Sequence, residues 1–447
     1  MENSDSHAAR LNVKGFLIKK YRGLLVFLVP LLLLSVGIFV LVNLISDSET
    51  ASNNLSNTVE NFSDPIARGR ALSGGNCAGS GSKILGTAPM NVSDLSVIIP
   101  YGLVIGGHVT PIDHQYYWGK EQFGSPDMYN VLMPSDGKLV NIGFRDRSHE
   151  KAKVKGDYRL VFMYSCTFFS YYDLVTSLSD KIKAQLPDGW ESIGYINTNI
   201  DLKEGDIVGK VGAQSLDFAV WDTTKTLENL LVPVAYDNGE PWKLSTVPPL
   251  DYFSEKVRKE ILPFYARDHE PLDGQIDYDK DGYVSGNWFL EGTNGYVGVF
   301  EFGTQGGGGT YWTGHLSIAP NHMDPSVWIF SIGELNGEAR QFAIKNPSVL
   351  PDMLDKNSGI VIYELTDISY IDKNGNSWNG ESVASGITLT PAATKGTVLL
   401  QMLDTRLLKL EVFLDKHPLE VSEFTENYRL YDRGDNAKMV VTNKERR

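Results

Sequence analysis

The chain has 447 residues, 42% of them hydrophobic and 21% charged, an ordinary globular composition that excludes wholesale disorder. That length exceeds what one hydrophobic core usually serves, so two folded units are expected. A formal charge of −14 argues against nucleic acid, or a surface of anionic lipid, as the partner of the folded part.

The first element is apolar. From Leu24 to Ile45 the chain runs LLVFLVPLLLLSVGIFVLVNLI without a charge, long enough for a helix to cross a bilayer of about 30 Å. Pro30 is tolerated better in lipid than in a soluble helix. The run is longer than a signal-peptide core and no small-residue cleavage site follows it, so it reads as an anchor in the lipid bilayer. Arg10, Lys14, Lys19, Lys20 and Arg22 precede it, while Asp47, Glu49, Glu60 and Asp64 follow. By the positive-inside rule residues 1–23 are a cytoplasmic tail, and the bulk of the chain is extracytoplasmic. Leaving out those 23 residues, with five basic and two acidic side chains, brings the charge to −17.

Residues 46–75 are rich in Ser, Asn, Asp and Gly without an apolar period and read as a stalk. Sequons at Asn54, Asn61 and Asn91 fit a glycosylated exterior. Both cysteines, Cys77 and Cys166, lie beyond the anchor, where a disulfide is permitted, and sequence leaves their pairing open.

Residues 76–250 are mostly strand-like. SVIIPYGLVI, YNVLMPSDGKLVNIGF, YRLVFMYSCTFFSYYDLV and GDIVGKVGAQSLDFAVWD are β-branched and aromatic between Gly and Asp-Gly turns. One amphipathic helix is expected over 174–186. A helical stretch over 251–269 (DYFSEKVRKEILPFYAR within it) divides this unit from a second run of strands, 270–420, spaced as in a sandwich or barrel. GNWF at 286–289 resembles the Gly-x-Trp that opens lipocalin-type barrels, and Trp288 also suits a plain core position. Residues 421–447 read as a loose charged tail. The fold class is therefore mainly β: an N-terminal transmembrane helix and two β domains.

Residues 106–114 read GGHVTPIDH. In an extended strand His108 and His114 would lie about 20 Å apart, too far to share a metal, but Pro111 permits a turn that brings them together. Further on, Leu216, Phe218 and Val220 alternate with Ser215, Asp217 and Ala219, so a carboxylate points inward from a buried strand and needs a partner. That partner is open between a metal, an arginine and backbone amides.

Over roughly residues 100–222 the order of these pieces resembles the lysostaphin-type (LytM) metallopeptidase domain: a His-bearing turn, MPSDGKLVNIG, a Tyr-rich strand ending YYDL, then GDIVGKVG followed by SLDF. The family carries His-x-x-x-Asp, YAHL and HLHF motifs around a zinc ion. By this resemblance His114 takes the first ligand position, but the Asp expected four residues later is Trp118. A register through His108 puts Ile112 there, with Asp113 one residue off. The YAHL histidine becomes Asp173, and the two HLHF histidines become Ser215 and Asp217. Both positions that assist the reaction, Asp173 and Ser215, are thus not histidine. His114 and Asp217, with Asp113 or Asp173 as a third group, remain candidates to hold Zn2+, and carboxylates move such a site toward harder ions. Tyr116, Tyr117, Trp118, Tyr171 and Tyr172 are the candidates to line a groove.

In the second unit Asp277, Asp279 and Asp281 occupy positions 1, 3 and 5 of a loop with Gly282 at 6, the opening of a Ca2+ loop, yet position 12 is Trp288 rather than Glu. Read otherwise, 277–282 is an acidic surface turn. His315, His322 and Asp324 lie close in sequence.

The expectation is a membrane-anchored extracytoplasmic protein whose peptidase-like domain binds or scaffolds an envelope peptide or polymer without hydrolysing it. The alternatives are a zinc-dependent endopeptidase acting on cell-wall or surface-layer peptides and a purely structural surface protein.

Overall fold

The computed structural model describes residues 64–75, 77–148, 153–237, 239–298, 311–380, 382–384 and 386–437. The expected cytoplasmic tail, the anchor at 24–45 and the stalk before residue 64 lie outside them. Among the described residues no helix is long and apolar enough to cross a membrane. The end of the expected stalk is helical: α1 (Pro65–Leu72) starts at Asp64, whose side chain accepts the Ile66 amide, with Pro65 at the position where its missing N–H costs nothing.

The first β unit contains β1 (Leu95–Ile99), β2 (Gln115–Gly119), β3 (Tyr129–Leu132), β4 (Gly137–Asp146), β5 (Gly156–Ser165), β6 (Phe168–Val175), β7 (Ser177–Leu178), β8 (Tyr195–Leu202), β9 (Ile207–Val211), β10 (Leu216–Asp222) and β11 (Thr246–Val247). The main sheet runs β1-β2-β10-β6-β5-β4-β8, with β11 added beside β10, while β3-β9-β7 forms a small second sheet. Alternation sorts the side chains by face. Leu160, Phe162, Tyr172, Phe218 and Val220 enter the large core shared with the small sheet. Val161, Met163, Phe169, Tyr171, Ala219 and Trp221 enter a separate cluster on the other face. No helix spans 174–186: the chain leaves β6, pairs Ser177–Leu178 with β9, and turns helical only over Asp180–Lys183. The β-branched and aromatic run before it wins because sheet pairing and the core claim both faces. The expected connector at 251–269 keeps one α-helix, Glu255–Ile261, between short 3-10 turns.

The second unit is a closed antiparallel barrel of β12 (Gly286–Leu290), β13 (His315–Pro320), β14 (Trp328–Leu335), β15 (Glu338–Lys345), β16 (Val361–Ile371), β17 (Thr388–Asp404), β18 (Leu407–Leu414) and β19 (Arg429–Asp432). β19 pairs with both β12 and β18 and closes it, so the barrel runs past residue 420 into the stretch expected to be a tail. Trp288, Phe330, Tyr363, Leu400 and Tyr431 fill its interior, as the small radius of eight strands allows.

β16 and β17 outrun the barrel. Their outer ends still pair, Ile368 with Pro391 and Ile371 with Thr388. The arm they carry joins Ile387, Trp378 and Ala384 to Val97, Ile99, Tyr116 and Trp118 of the first unit in one apolar cluster. Gly386 donates to Asp268 at 2.9 Å and Leu389 to Asp324 at 2.9 Å, fixing the arm's root.

Candidate functional site

The strand order brings the chemistry-bearing residues into one row across the main sheet. Asp217 on β10 sits opposite Asp173 on β6, and Arg145 on β4 sits opposite Asp157 on β5. Between Tyr158 and Leu160 the β5–β6 register slips. That bulge places an extra residue on β6, where Leu174 has φ +65°, and such bulges re-aim side chains. The row reads Arg147, Asp157, Arg145, Asp173, Arg159, with Asp217 and His114 beyond.

His114 is 8% exposed, in the turn just before β2. Its Nδ1 lies 3.2 Å from Asp113 Oδ1 and 2.7 Å from the Tyr171 hydroxyl. Its Nε2 lies 3.3 Å from Asp217 Oδ2 but out of line for a hydrogen bond. Asp217 also accepts from the Ser215 hydroxyl at 3.1 Å, and Asp113 from Trp242 Nε1 at 3.1 Å. Burial would lower the imidazole pKa, but Asp217 and Asp113 outweigh it and the net shift is upward. Asp217 is pushed up to about 6, chiefly by burial, against the pull of His114. Asp113 moves the other way: despite its burial, Lys243 and His114 hold it well below the usual carboxylate range.

Asp173 is 3% exposed and is held as a carboxylate. Arg145 grips both its oxygens, at 3.0 and 2.5 Å, and Arg159 donates twice to Oδ2, at 2.9 and 2.6 Å. Burial would raise its carboxyl, yet Arg159 and Arg145 keep it below the ordinary value. Arg145 continues to Asp157, and Arg147 reaches the other oxygen of Asp157 at 3.0 Å. The Arg159 guanidinium lies over the rings of Tyr171 and Trp242, 5.4 Å from each centroid.

A hydrolytic zinc ion needs three protein donors converging on it. His114 Nε2 and Asp217 Oδ2 converge. Asp113 sits on the far side of the imidazole, and both oxygens of Asp173 are taken by guanidiniums. No group of three or more His, Cys, Asp or Glu side chains suited to a metal occurs among the described residues. The residues present do not fit a catalytic zinc, and no step through one is derived. His108 is exposed on a turn that bridges Ile105 to His108, its ring centroid 6.0 Å from that of His114 and in edge contact only.

The groove candidates do not line an open channel. Tyr117, Tyr171 and Tyr172 are core residues, at most 2% exposed, and Tyr116 and Trp118 pack into the cluster beneath the barrel's arm. Cys77 and Cys166 are joined in a disulfide, with Cα atoms 5.0 Å apart. The three aspartates of the 277–282 loop diverge. Asp279 is buried against Arg433 and accepts from the Asn287 and Leu231 amides, whereas Asp281 pairs with Arg406 at the surface. The Asp277 carboxyl, pushed up chiefly by burial, joins neither. His315 bonds the Tyr296 carbonyl at 3.0 Å, while Asp324 caps the turn beyond β13 by accepting from Ser326. His322 packs beside Tyr370. They form no common site.

Sequence reasoning missed the three arginines, and Trp242 and Lys243, which lie against Asp113. Arg145 and Arg147 alternate, as do Asp157 and Arg159, so each pair shares one strand face; that spacing was the available signal. Nothing local marks Trp242, which arrives from a non-strand segment.

No family model matches the sequence, and no curated protein matches it. Among solved structures the chain is similar to Csd3 of Helicobacter pylori, with 16% identity and a TM-score of 0.23, over 41% of this chain and 40% of that one. The chain thus spans well under half the length of Csd3. It is also similar to lysostaphin, with 11% identity and a TM-score of 0.19, over 72% of this chain and 80% of that one. At these scores the likeness carries no argument, and what the site can do rests on its own geometry.

Proposed function

We propose that this chain is a membrane-anchored, extracytoplasmic envelope protein whose lysostaphin-like unit binds or scaffolds and does not hydrolyse. The observation that carries this reading is Asp173 held by Arg145 and Arg159. A group locked in two ion pairs neither takes a proton from water nor ligates a metal. The Cys77–Cys166 disulfide supports the placement outside the cytoplasm, where such bonds persist. The anchor rests on the apolar run at 24–45 and its charged flanks.

The test is elemental mass spectrometry of the purified full chain beside a His114→Ala/Asp217→Ala variant. The expected result is zinc far below one per chain in both. Near-stoichiometric zinc that disappears in the variant would overturn this reading and restore the endopeptidase. The observation favouring that second reading is His114 Nε2, which lacks a hydrogen bond and faces Asp217 at 3.3 Å.

A further inference from the structure

Among the described residues Lys243 is the one lysine that is buried, at 1% exposure. It opens the 3-10 turn Lys243–Ser245, where its amide donates to the Glu240 carbonyl at 2.9 Å. The turn aims the ammonium at two carboxylates from different parts of the chain. Nζ lies 3.3 Å from Oε2 of Glu240 and 3.9 Å from Oδ2 of Asp113, in the GGHVTPIDH turn. The Tyr296 ring covers it, 5.2 Å to the centroid. The Asp113 side chain is 5% exposed, whereas Glu240 keeps 23%. At 3.9 Å lysine and aspartate are too far apart for a hydrogen bond. Two buried charges thus face each other without the contact that usually offsets their desolvation.

From this geometry we infer that Lys243 and Asp113 become joined by an isopeptide bond, an amide between Nζ and Cγ, formed by the protein's own side chains. The chemistry closes within the cluster. Glu240 takes a proton from Nζ and leaves a free amine, whose lone pair attacks Cγ of Asp113 as the bond from Cγ to Oδ1 breaks. Of the three protons on Nζ, one stays on the amide and two leave with Oδ1 as water. Nothing is oxidised or reduced, and no co-reactant is needed. Trp242 Nε1 donates at 3.1 Å to Oδ2, the oxygen that stays and carries the developing negative charge. His114 Nδ1 lies 3.2 Å from Oδ1, the oxygen that departs. Glu240, the partly exposed member, is the route by which protons reach solvent. The product replaces two buried charges with one neutral amide, the direction that burial favours. The bond ties the GGHVTPIDH turn to the segment just before β11. It stands apart from the binding function proposed above, because a chain without the bond can bind as well.

The test is mass spectrometry of the purified full chain, unfolded from detergent with the Cys77–Cys166 disulfide reduced. The expected chain is lighter than its sequence by one water. A tryptic digest should yield one branched peptide joining the segments around Asp113 and Lys243, with no cut after Lys243. Lys243→Arg and Asp113→Ala should each restore the missing water, and Glu240→Gln should slow or abolish its loss. Asp113→Asn is the sharper control. Its leaving group is ammonia in place of water, so variant and parent should reach the same final mass and the same branched peptide.

Parent protein in which Asp113 and Lys243 are recovered only in separate peptides overturns the inference, whether or not any variant folds. A branched peptide joining other residues, or a loss of water that persists in Lys243→Arg, overturns it as well. Loss of water at the parent's rate in Glu240→Gln overturns the role of Glu240 as the base.

Discussion

Asp173 shows how two ion pairs hold a buried carboxylate. An imidazole at that position could share protons with a water, whereas a carboxylate there draws in Arg145 and Arg159 and is consumed by them. Asp173→Ala should therefore destabilise the fold by about 2–3 kcal/mol, read from the midpoint of urea unfolding. This lies below the cost of a fully buried pair because the guanidiniums remain partly hydrated. His114 supplies a pH signature. Its folded pKa is raised above the ordinary 6.5, so its contribution to stability is complete below that value and is lost as pH rises through the raised one. Asp217, pushed up to about 6, loses its contribution in the same direction between about pH 4 and 6. Asp273, pushed up to about 7 by burial among Gln115, Tyr265 and the Leu250 amide, adds a parallel slope. The readout is thus the difference between variants: His114→Gln should unfold with a visibly shallower decline between pH 6 and 8 than the parent. An identical slope would mean that folding leaves the His114 pKa where it stands in the unfolded chain.

At the scale of elements, the turn between β5 and β6 gathers the chain before β1. Cys166 is bonded to Cys77, its amide donates to Gly79 at 3.1 Å, and Ser165 and Thr167 bond Gly81 at 2.7 and 2.8 Å. Cys77→Ser/Cys166→Ser should cost about 2–5 kcal/mol, given the 89-residue separation. Hydrogen exchange should rise first over 77–81 and the β5–β6 turn. The strands of this unit were legible because two-residue alternation and Asp-Gly turns leave local traces, and so was Asp217, which strand parity placed inward, whereas His114 stood out only as part of the GGHVTPIDH turn and of the resemblance. The helix expected over 174–186 was not, because the pairing of Ser177–Leu178 with β9 is a long-range choice. The arginine row was half legible. Parity puts Arg145 with Arg147 and Asp157 with Arg159, but only the β4–β5–β6 order shows that Asp173 lies between two of these arginines. The aspartates at 277–281 failed for the opposite reason. Their local spacing suits an ion, but Arg433, more than 150 residues away in sequence, claims Asp279.

At the scale of the molecule, the barrel and the main sheet are joined on two sides of the GGHVTPIDH turn. Gln341 of β15 exchanges two hydrogen bonds with the Gly106 backbone, each of 3.0 Å. The Gly107 backbone lies so close to the Trp312 ring that a methyl group there would sit 2.6 Å from it, which is why glycine is needed at that position. On the other side the arm buries Ile387, 1% exposed, in the cluster with Val97 and Ile99. Such an apolar seam couples the two units' unfolding, because separating them exposes a continuous patch that water penalises. The full chain should therefore melt in one calorimetric transition despite its two β units. Ile387→Asp places an unpaired charge in that seam, at a cost of about 3 kcal/mol, and should split the melt in two, with the barrel and the sheet unfolding separately. A variant that still melts as one peak, merely shifted lower, would show that the contact at Gly106 and Gly107 carries the coupling and the arm does not.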